Sequence, residues 1–595
     1  MARWHFRMLN DAARNLSFKK AIQYWIRKEG KVNVMDIGSG TGLLSLYAAN
    51  VASVKKIHAI ESSAIMAGMS AEIFKVNPRG KMVSLVTKHS ADLVIGEDIP
   101  EKVSLIVSET LDSGVFGEGI LDTLIHAKEN LLTDDGKIVP WKVKIHVAGY
   151  KSKSLAMNQI LVNETFREYF HLPNFRLVAK RDEPYDAEYV DAIHDFKLVT
   201  NVVDTLEVDF NDLESMQWHF DGTEVKEFQL QSEVNNDYID GFAVWFTLYL
   251  NKNDVENFIS TKPKSNSCWN QAIFKLRQRV LIKKFQILKL SMSCKDGILK
   301  IHHDMDSVED LIDLEVEGDM LRYLNDDEYL RELEFTVGKI KGNFENCLDF
   351  SPFPYVGMAL LKDGRLKNLW CRGKSEEIIK KIAEKNVINV NCLEFIDDLT
   401  KLDGKVRFQL IILNPFYPLG DLNDEIIRDY PKYRNFLTGD GLIMPHKIIL
   451  FGELINNDWL VESCRIIDVG VKRLKIDKFI NNFATEIHLD LDNYFECEKL
   501  TSFFRISEIY FDDELHESSI NVPMKNVNLP IQAILFHHKI QLTASSNVFS
   551  TNRKSASSCF RRTAQMLPSE VTVDKSSAKI SFVQNSGIVK CDVTC

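Results

Sequence analysis

Two kinds of hydrophobic patterning alternate along this chain, and the pair occurs twice. Over residues 32–35, 57–60, 82–86 and 105–107 apolar residues run almost without interruption, and between them stretches such as 42–50 and 63–76 place apolar residues at helical spacing. Continuous apolar runs separated by helices predict a parallel, doubly wound sheet whose strands are buried on both faces. After Pro140 the pattern changes to K-V-K-I-H-V, F-A-V-W-F-T-L-Y-L and R-V-L-I-K-K, which predict an antiparallel, barrel-like β-domain. Residues 151–192 are polar and helix-like and read as an arm projecting from that domain, while the acidic stretch 304–317 reads as a link.

Beyond the link the chain repeats itself. L-T-D-D-G-K-I-V-P at Leu132–Pro140 returns as L-T-G-D-G-L-I-M-P at Leu437–Pro445, and M-L-N-D at Met8–Asp11 returns as Y-L-N-D at Tyr323–Asp326. V-M-D-I-G-S-G-T-G-L-L has its counterpart in C-L-D-F-S-P-F-P-Y-V-G, with Asp349 where Asp36 stands. Three matches in the same order predict a duplicated, domain-sized unit. The expected fold is α/β: two tandem copies of a doubly wound, Rossmann-like domain, each followed by an antiparallel β-barrel-like domain. The expected boundaries are 1–140, 141–303, a linker 304–320, then 321–445 and 446–595. The second copy is degenerate. Gly38, Gly40 and Gly42 become Ser351, Phe353 and Tyr355, bulk expected to fill a nucleoside-sized gap. Glu61 becomes Gly373, Arg14 becomes Tyr329 and Glu109 becomes Asn414.

Composition narrows the class. Hydrophobic content of 45% and charged content of 26% over 595 residues are those of a soluble multidomain protein. No apolar run reaches the roughly 18 residues of a membrane helix, and the opening M-A-R-W-H-F-R lacks the apolar stretch of a secretory signal, so cytoplasm and nucleus are the expected compartments. Ten cysteines without C-x-x-C spacing argue against a disulfide scaffold or a zinc ribbon, and no metal is expected. A net charge of −11 disfavours direct nucleic-acid binding and suits a basic partner.

The chemistry concentrates at two strand ends. V-N-V-M-D-I-G-S-G-T-G is a strand, an acid and a glycine turn before a helix; such glycines let the backbone approach a ligand. Its G-x-G-x-G spacing departs from the dinucleotide fingerprint G-x-G-x-x-G, and Glu61, ending the next strand, can accept from ribose hydroxyls. S-adenosylmethionine is the favoured ligand, a nicotinamide or flavin cofactor and a ligand-free structural turn being the alternatives. S-L-I-V-S-E-T-L-D-S-G-V-F-G-E-G is a second apolar strand whose end places Glu109 and Glu118 in a glycine-rich hairpin. Two acids solvated on a loop would be the ordinary outcome. At the end of a buried strand of a ligand-binding sheet, two acceptor-only groups instead fit a planar cation with several donors, and guanidinium is that cation.

In these motifs the chain resembles the protein arginine N-methyltransferases, and within them the tandem-core type with a degenerate second half. M-L-x-D-x-x-R, V-M-D-I-G-S-G-T-G, the strand-end Glu61, the double-glutamate hairpin and L-x-x-x-G-x-I-x-P match in order. The resemblance implies that Arg14 pairs with the methionine carboxylate, that Asp36, Gly38 and Gly40 line that end of the cofactor, that Glu61 holds the ribose, and that His89 and Ser90 contact the adenine. It implies that Glu109 and Glu118 clamp the substrate guanidinium. S-adenosylmethionine is then the cofactor, monomethylarginine the expected product, and histone tails and RNA-binding proteins the expected partners. The chain is expected to be a monomer whose halves form an intramolecular pseudo-dimer, without membrane contact. A catalytically impaired scaffold of the same family is the alternative. In S-C-W-N-Q the family's histidine, which meets the aspartate of M-L-x-D, is replaced by Cys268 beside Trp269, so that Asp11 is expected to lose its ion pair.

Overall fold

The computed structural model describes residues 3–306, 311–397, 402, 406–417, 422–483, 488–491, 496–509, 516–526, 528–555, 557–572, 577–585 and 588–594. They divide into two units. The first comprises Met1–Ser152, Arg181–Asp306 and Asp458–Ala484; the second comprises Lys153–Lys180, Ser307–Asn457 and Thr485–Cys595.

In the first unit, helices α1 (Trp4–Asn10) and α2 (Ala12–Glu29) precede strand β1 (Val32–Ile37). Next come α3 (Leu43–Ala49), β2 (Val54–Ile60), α4 (Ala64–Val76), β3 (Val83–Val86), β4 (Val103–Ser108), α5 (Ile120–Asn130) and β5 (Leu132–Val139). The five strands pair in parallel in the order β3-β2-β1-β4-β5. Val32, Val34, Met35 and Ile37 of β1 are all buried, as a strand covered on both faces requires. The expected alternation is therefore real, with β1, β2 and β4 two or three residues longer than their apolar runs and β3 one residue shorter. Gly42 starts α3 at φ +79°, and a Cβ there would lie 2.3 Å from the Phe74 ring of α4. Only glycine lets α3 and α4 close against each other.

The antiparallel half of this unit is built on β6 (Lys142–Lys151), which pairs with Asp237–Tyr249 and Val203–Asp209. Val143, Ile145 and Val147 point inward, and between them Lys142, Lys144 and His146 meet Glu207 and Asp204 on the other face. The second unit repeats the plan. Phe344–Asp349, Leu366–Cys371, Leu393–Phe395, Phe408–Ile412 and Leu437–Met444 form a parallel sheet of the same topology, and Lys447–Asn456 and Ile531–Gln541 form the centre of its antiparallel half.

The arms sit in an arrangement that periodicity does not reveal. Of the stretch 151–192 expected to project as an arm, residues 153–180 belong to the second unit, where Leu161, Phe166, Phe170 and Leu177 enter its core, while 181–192 stay in the first. Residues 458–484 belong to the first, where Ile466, Val471, Ile476 and Ile480 do the same. One device fastens both. Asn10 accepts from the backbone N–H groups of Ile467 (2.8 Å) and Asp468 (3.1 Å) and donates to the carbonyls of Glu462 (2.8 Å) and Arg465 (2.7 Å). Asn325, its equivalent in the repeat, accepts from Val162 (2.8 Å) and Asn163 (3.2 Å) and donates to Met157 (2.7 Å) and Ile160 (2.9 Å). Within the stretch expected to be a linker, Ile312–Val316 is a strand pairing in parallel with Phe175–Ala179, so the arm orders it. Among the described residues no helix is long and apolar enough to cross a membrane.

Asn325 is buried and uses its whole amide on the arm. Asn325→Ala should lower the unfolding free energy by about 1–3 kcal/mol through unpaired backbone groups, and should open residues 153–180 to proteolysis. Urea denaturation and limited digestion check this; unchanged stability with an intact arm would show that the apolar contacts suffice.

Candidate functional site

Arg14 lies in the first turn of α2, whose N-cap Asp11 accepts from the Arg14 backbone N–H at 2.9 Å. Its guanidinium is buried between the rings of Phe18 and Trp269, with Cζ 5.4 and 5.5 Å from the ring centroids. One nitrogen donates to Asn15 at 2.8 Å and another to the Glu109 carboxylate, while Nε has no partner. Burial opposes this charge, but Glu109, Cys268 and Asp11 together outweigh burial and raise the Arg14 pKa. The same burial pushes the Glu109 carboxyl up, although Arg14 pulls the other way.

The glycine turn packs under this pair. Gly38, at φ +72°, has Thr110 Cγ2 2.7 Å from where a Cβ would stand, so a side chain would collide with the start of the segment after β4. Asp36, ending β1, accepts from the Ser45 backbone N–H (2.8 Å) and hydroxyl (2.7 Å) through one oxygen and leaves the other unpartnered. Burial pushes its pKa up to about 6, against those hydrogen bonds. Glu61 accepts from the N–H groups of Gly40 and Ser63, each at 2.8 Å, and so ties β2 to the turn. Ser90 is buried and His89 exposed just past β3, where His89 Nδ1 accepts from the Ala91 N–H at 3.3 Å. Arg14 Nε, Asp36 Oδ1 and Ser39 Oγ are all buried without partners. Three such atoms around one glycine turn match a ligand carrying both an anionic and a cationic group.

The segment between β4 and α5, expected to be a hairpin, is a loop of turns with no second strand, and it forms the other wall. Glu109, Leu111, Asp112 and Glu118 border a cavity of about 290 Å³ with Trp269 and Arg7. Glu118 opens to solvent through its mouth, yet the surrounding protein, then the Glu109 and Asp112 charges, push its pKa up to about 7. Trp269 Nε1 donates to the Leu111 carbonyl at 2.8 Å. Asp112 braces the loop from within: one oxygen accepts from the Gly117 N–H (3.0 Å), the other from the Tyr185 hydroxyl (2.5 Å). Gly114 and Gly117 have no room for a Cβ, which would meet the Tyr185 ring at 2.4 Å and Asp112 at 2.6 Å. Across the mouth, Arg7 donates to Asn270 (3.0 Å) and the Ser267 carbonyl (3.1 Å) and lies 4.6 Å from the Tyr189 ring centroid.

The structure thus brings Arg14, Asp36, Gly38, Gly40, Glu61 and Glu109 together around the turn, and Glu109, Glu118, Cys268 and Trp269 around the cavity. His89 and Ser90 stand farther along the same sheet edge. Asp11 keeps its contact with the 267–270 loop despite the missing histidine, because its carboxylate accepts from the Cys268 backbone N–H at 3.0 Å. The Cys268 thiol is pushed well up by burial and stays neutral. The second copy repeats this: Asp326 accepts from the Cys559 N–H at 2.9 Å and from Arg553. Asp112 was visible in the hairpin motif without a task. Tyr185, far from it in sequence, carried no signal, and neither did Arg7 or Ser45.

One expectation about the second copy is overturned. Phe353 and Tyr355 do not fill the crevice at the strand ends; both are buried in an aromatic cluster with Phe166 and Phe170 of the arm, at centroid distances of 5.3 to 6.3 Å. An arm rich in phenylalanine draws them away from the sheet edge.

Known proteins match along the same lines. Residues 142–309 match the family described as the arginine methyltransferase oligomerization subdomain. Protein arginine N-methyltransferase 9 of Xenopus laevis is 26% identical over 588 residues, covering 82% of this chain and 70% of its own length. Protein arginine N-methyltransferase 7 of Drosophila ananassae is 38% identical over 143 residues, covering 23% of this chain and 21% of its own. The Trypanosoma brucei PRMT1 enzyme-prozyme complex with AdoHcy shares 22% identity, with a TM-score of 0.38, over 50% of this chain and 90% of that one.

Tyr185→Phe removes the outer half of the Asp112 brace and leaves the ring packing in place. Amide exchange over residues 111–118 should quicken, with about 1–3 kcal/mol lost from the unfolding free energy. Exchange indistinguishable from the unmodified protein would mean that Gly117 alone holds the loop.

Proposed function

This chain belongs to the protein arginine N-methyltransferase family, and on that premise we propose that its first half transfers a methyl group from S-adenosylmethionine to a guanidino nitrogen of arginine in basic proteins. The product proposed is monomethylarginine, and the substrates are arginine-rich segments such as histone tails and RNA-binding proteins, met in cytoplasm and nucleus. The observation that carries this reading is the cavity bordered by Glu109 and Glu118, adjoining a glycine turn with three unpartnered buried polar atoms.

Arg14, with its free Nε, would hold the cofactor's carboxylate; Asp36 and the glycine turn would hold its amino-acid end, Glu61 the ribose, and Ser90 with His89 the base. When bound, the cofactor supplies an electrophilic methyl group on a sulfonium. The chain's own residues supply the rest. Glu109 and Glu118 offer acceptors to the guanidinium, concentrate its positive charge on the nitrogens they touch, and leave the third free to attack. Their repulsion, which adds to burial in raising the Glu118 pKa, is relieved when a cation lies between them. The attacking nitrogen sheds one proton as it is alkylated, and a carboxylate with a pKa of about 7 is well matched to receive it. The exchange of arms between the units supports a monomer that behaves as an internal pseudo-dimer.

Mass spectrometry of an arginine-rich peptide incubated with the full chain and S-adenosylmethionine tests the reading. Methylarginine should appear, and kcat/KM should rise with pH through about 7, because protonated Glu118 is neutral and cannot balance the guanidinium charge. Glu118→Gln should flatten that rise and lower kcat about 10²–10³-fold, with cofactor affinity unchanged. Cofactor binding without methylation under any condition would favour the scaffold alternative.

A further inference from the structure

The second copy holds an open cavity at its sheet edge. About 660 Å³ stands open at the carboxyl ends of Phe344–Asp349, Leu366–Cys371, Leu393–Phe395 and Phe408–Ile412. In the sheet, Phe344–Asp349 lies between Leu366–Cys371 and Phe408–Ile412. The chain therefore runs outward on one side and then crosses to the other, and an open α/β sheet binds ligands at this switch point. The volume is that of a small-molecule site.

Its walls are aromatic. Phe350, Phe416 and Tyr433 are buried side chains, with Phe350 and Tyr433 edge to face at 6.1 Å. Its charges are unevenly satisfied. Asp429 is paired with Lys432 at 2.8 Å, Asp397 accepts from the Gly373 N–H at 3.0 Å, and Asp319 accepts from the Met320 N–H at 2.8 Å. Glu425 is a fourth acid of the lining. The side chains of Arg372 and Lys374, which flank Gly373, make no hydrogen bond and no close ion pair among the described residues, although Arg372 is near enough to favour the charged form of the buried Asp349. Arg372 holds its guanidinium 5.6 Å from the centroid of the Phe350 ring. In the first copy this strand end carries Glu61, and the end of the fourth strand carries Glu109. Here Gly373 and Asn414 stand in those places. Two acids suited to hydroxyls and to a guanidinium have gone, and two cations whose side-chain donors are unpaired among the described residues have come in.

We propose that this cavity binds a small organic anion with a planar ring, of the nucleoside phosphate class, its ring against Phe350, Phe416 and Tyr433 and its phosphate on Arg372 and Lys374. Guanidinium and ammonium together make a phosphate subsite, and the flat walls make a stacking one. The site is separate from the methyl-transfer reading and stands or falls without it.

Calorimetry on the full chain tests the site, with excess S-adenosylhomocysteine present throughout to occupy the first copy. The probes are adenosine 5′-monophosphate, adenosine 5′-triphosphate, adenosine and inorganic phosphate. At least one nucleotide should bind once per chain, tenfold or more tighter than adenosine or phosphate, and more weakly as salt rises. Arg372→Ala with Lys374→Ala should weaken that binding at least tenfold, while the melting temperature and homocysteine-analogue binding stay unchanged. Absence of binding by both nucleotides at millimolar concentration overturns the proposal. So does binding indifferent to the double substitution, or adenosine or phosphate binding as tightly as the nucleotides. Should the double variant unfold, Arg372→Lys with Lys374→Arg keeps the charge and must retain binding.

Discussion

A buried ion pair joins the two halves of the first-copy site. Arg14 comes from the helix that precedes the sheet, Glu109 from the end of its fourth strand, and their contact is closed off by Phe18 and Trp269. Removing two charges from water costs several kcal/mol per ion before their attraction is counted, so such a pair is a poor way to gain stability. Its value lies in position. The cation that would meet the cofactor's carboxylate is the one that holds Glu109, the carboxylate proposed to clamp the substrate, in check. Asp11 caps the same helix with one oxygen and fixes the Cys268–Trp269 loop with the other, so the loop, the helix and the segment after β4 share a single frame.

That frame explains why a degenerate second half is kept. Its arm, residues 458–484, is part of the first unit's core, and Asn10, one residue from Asp11, is what grips it. Trp459 of the arm stacks on Tyr189 at 6.2 Å, and Tyr189 in turn carries Arg7 at the cavity mouth. The second half lacks the counterparts of Arg14, Glu61 and Glu109, while keeping Asp349 at the strand end, its sheet, its asparagine clasp and its aspartate-to-loop contact, the features that shape the unit.

Much of this was legible in the sequence because it is local. Strand and helix periods, the glycine turn with Asp36, the two acids after β4 and the order of the repeats depend on residues close together in the chain. What stayed hidden depends on distant pairs. Tyr185 reaches Asp112 through folding alone, and the exchange of arms cannot be read from either arm's pattern. Cys268, standing where the resemblance implies a histidine, meets Asp11 through its backbone N–H, and backbone donors are invisible to residue-type reasoning. Phe353 and Tyr355 looked like plugs by size, but their partners Phe166 and Phe170 lie in a segment whose destination only the fold reveals.

Arg14 is expected to hold Glu109 until another carboxylate shares its charge. Binding of one arginine-rich peptide to the full chain, with and without saturating S-adenosylhomocysteine, measures that coupling directly. The account predicts at least fivefold tighter peptide binding with the homocysteine analogue present, a coupling of about 1 kcal/mol or more, and loss of the effect in Glu109→Gln. Equal peptide affinity in both states would contradict it.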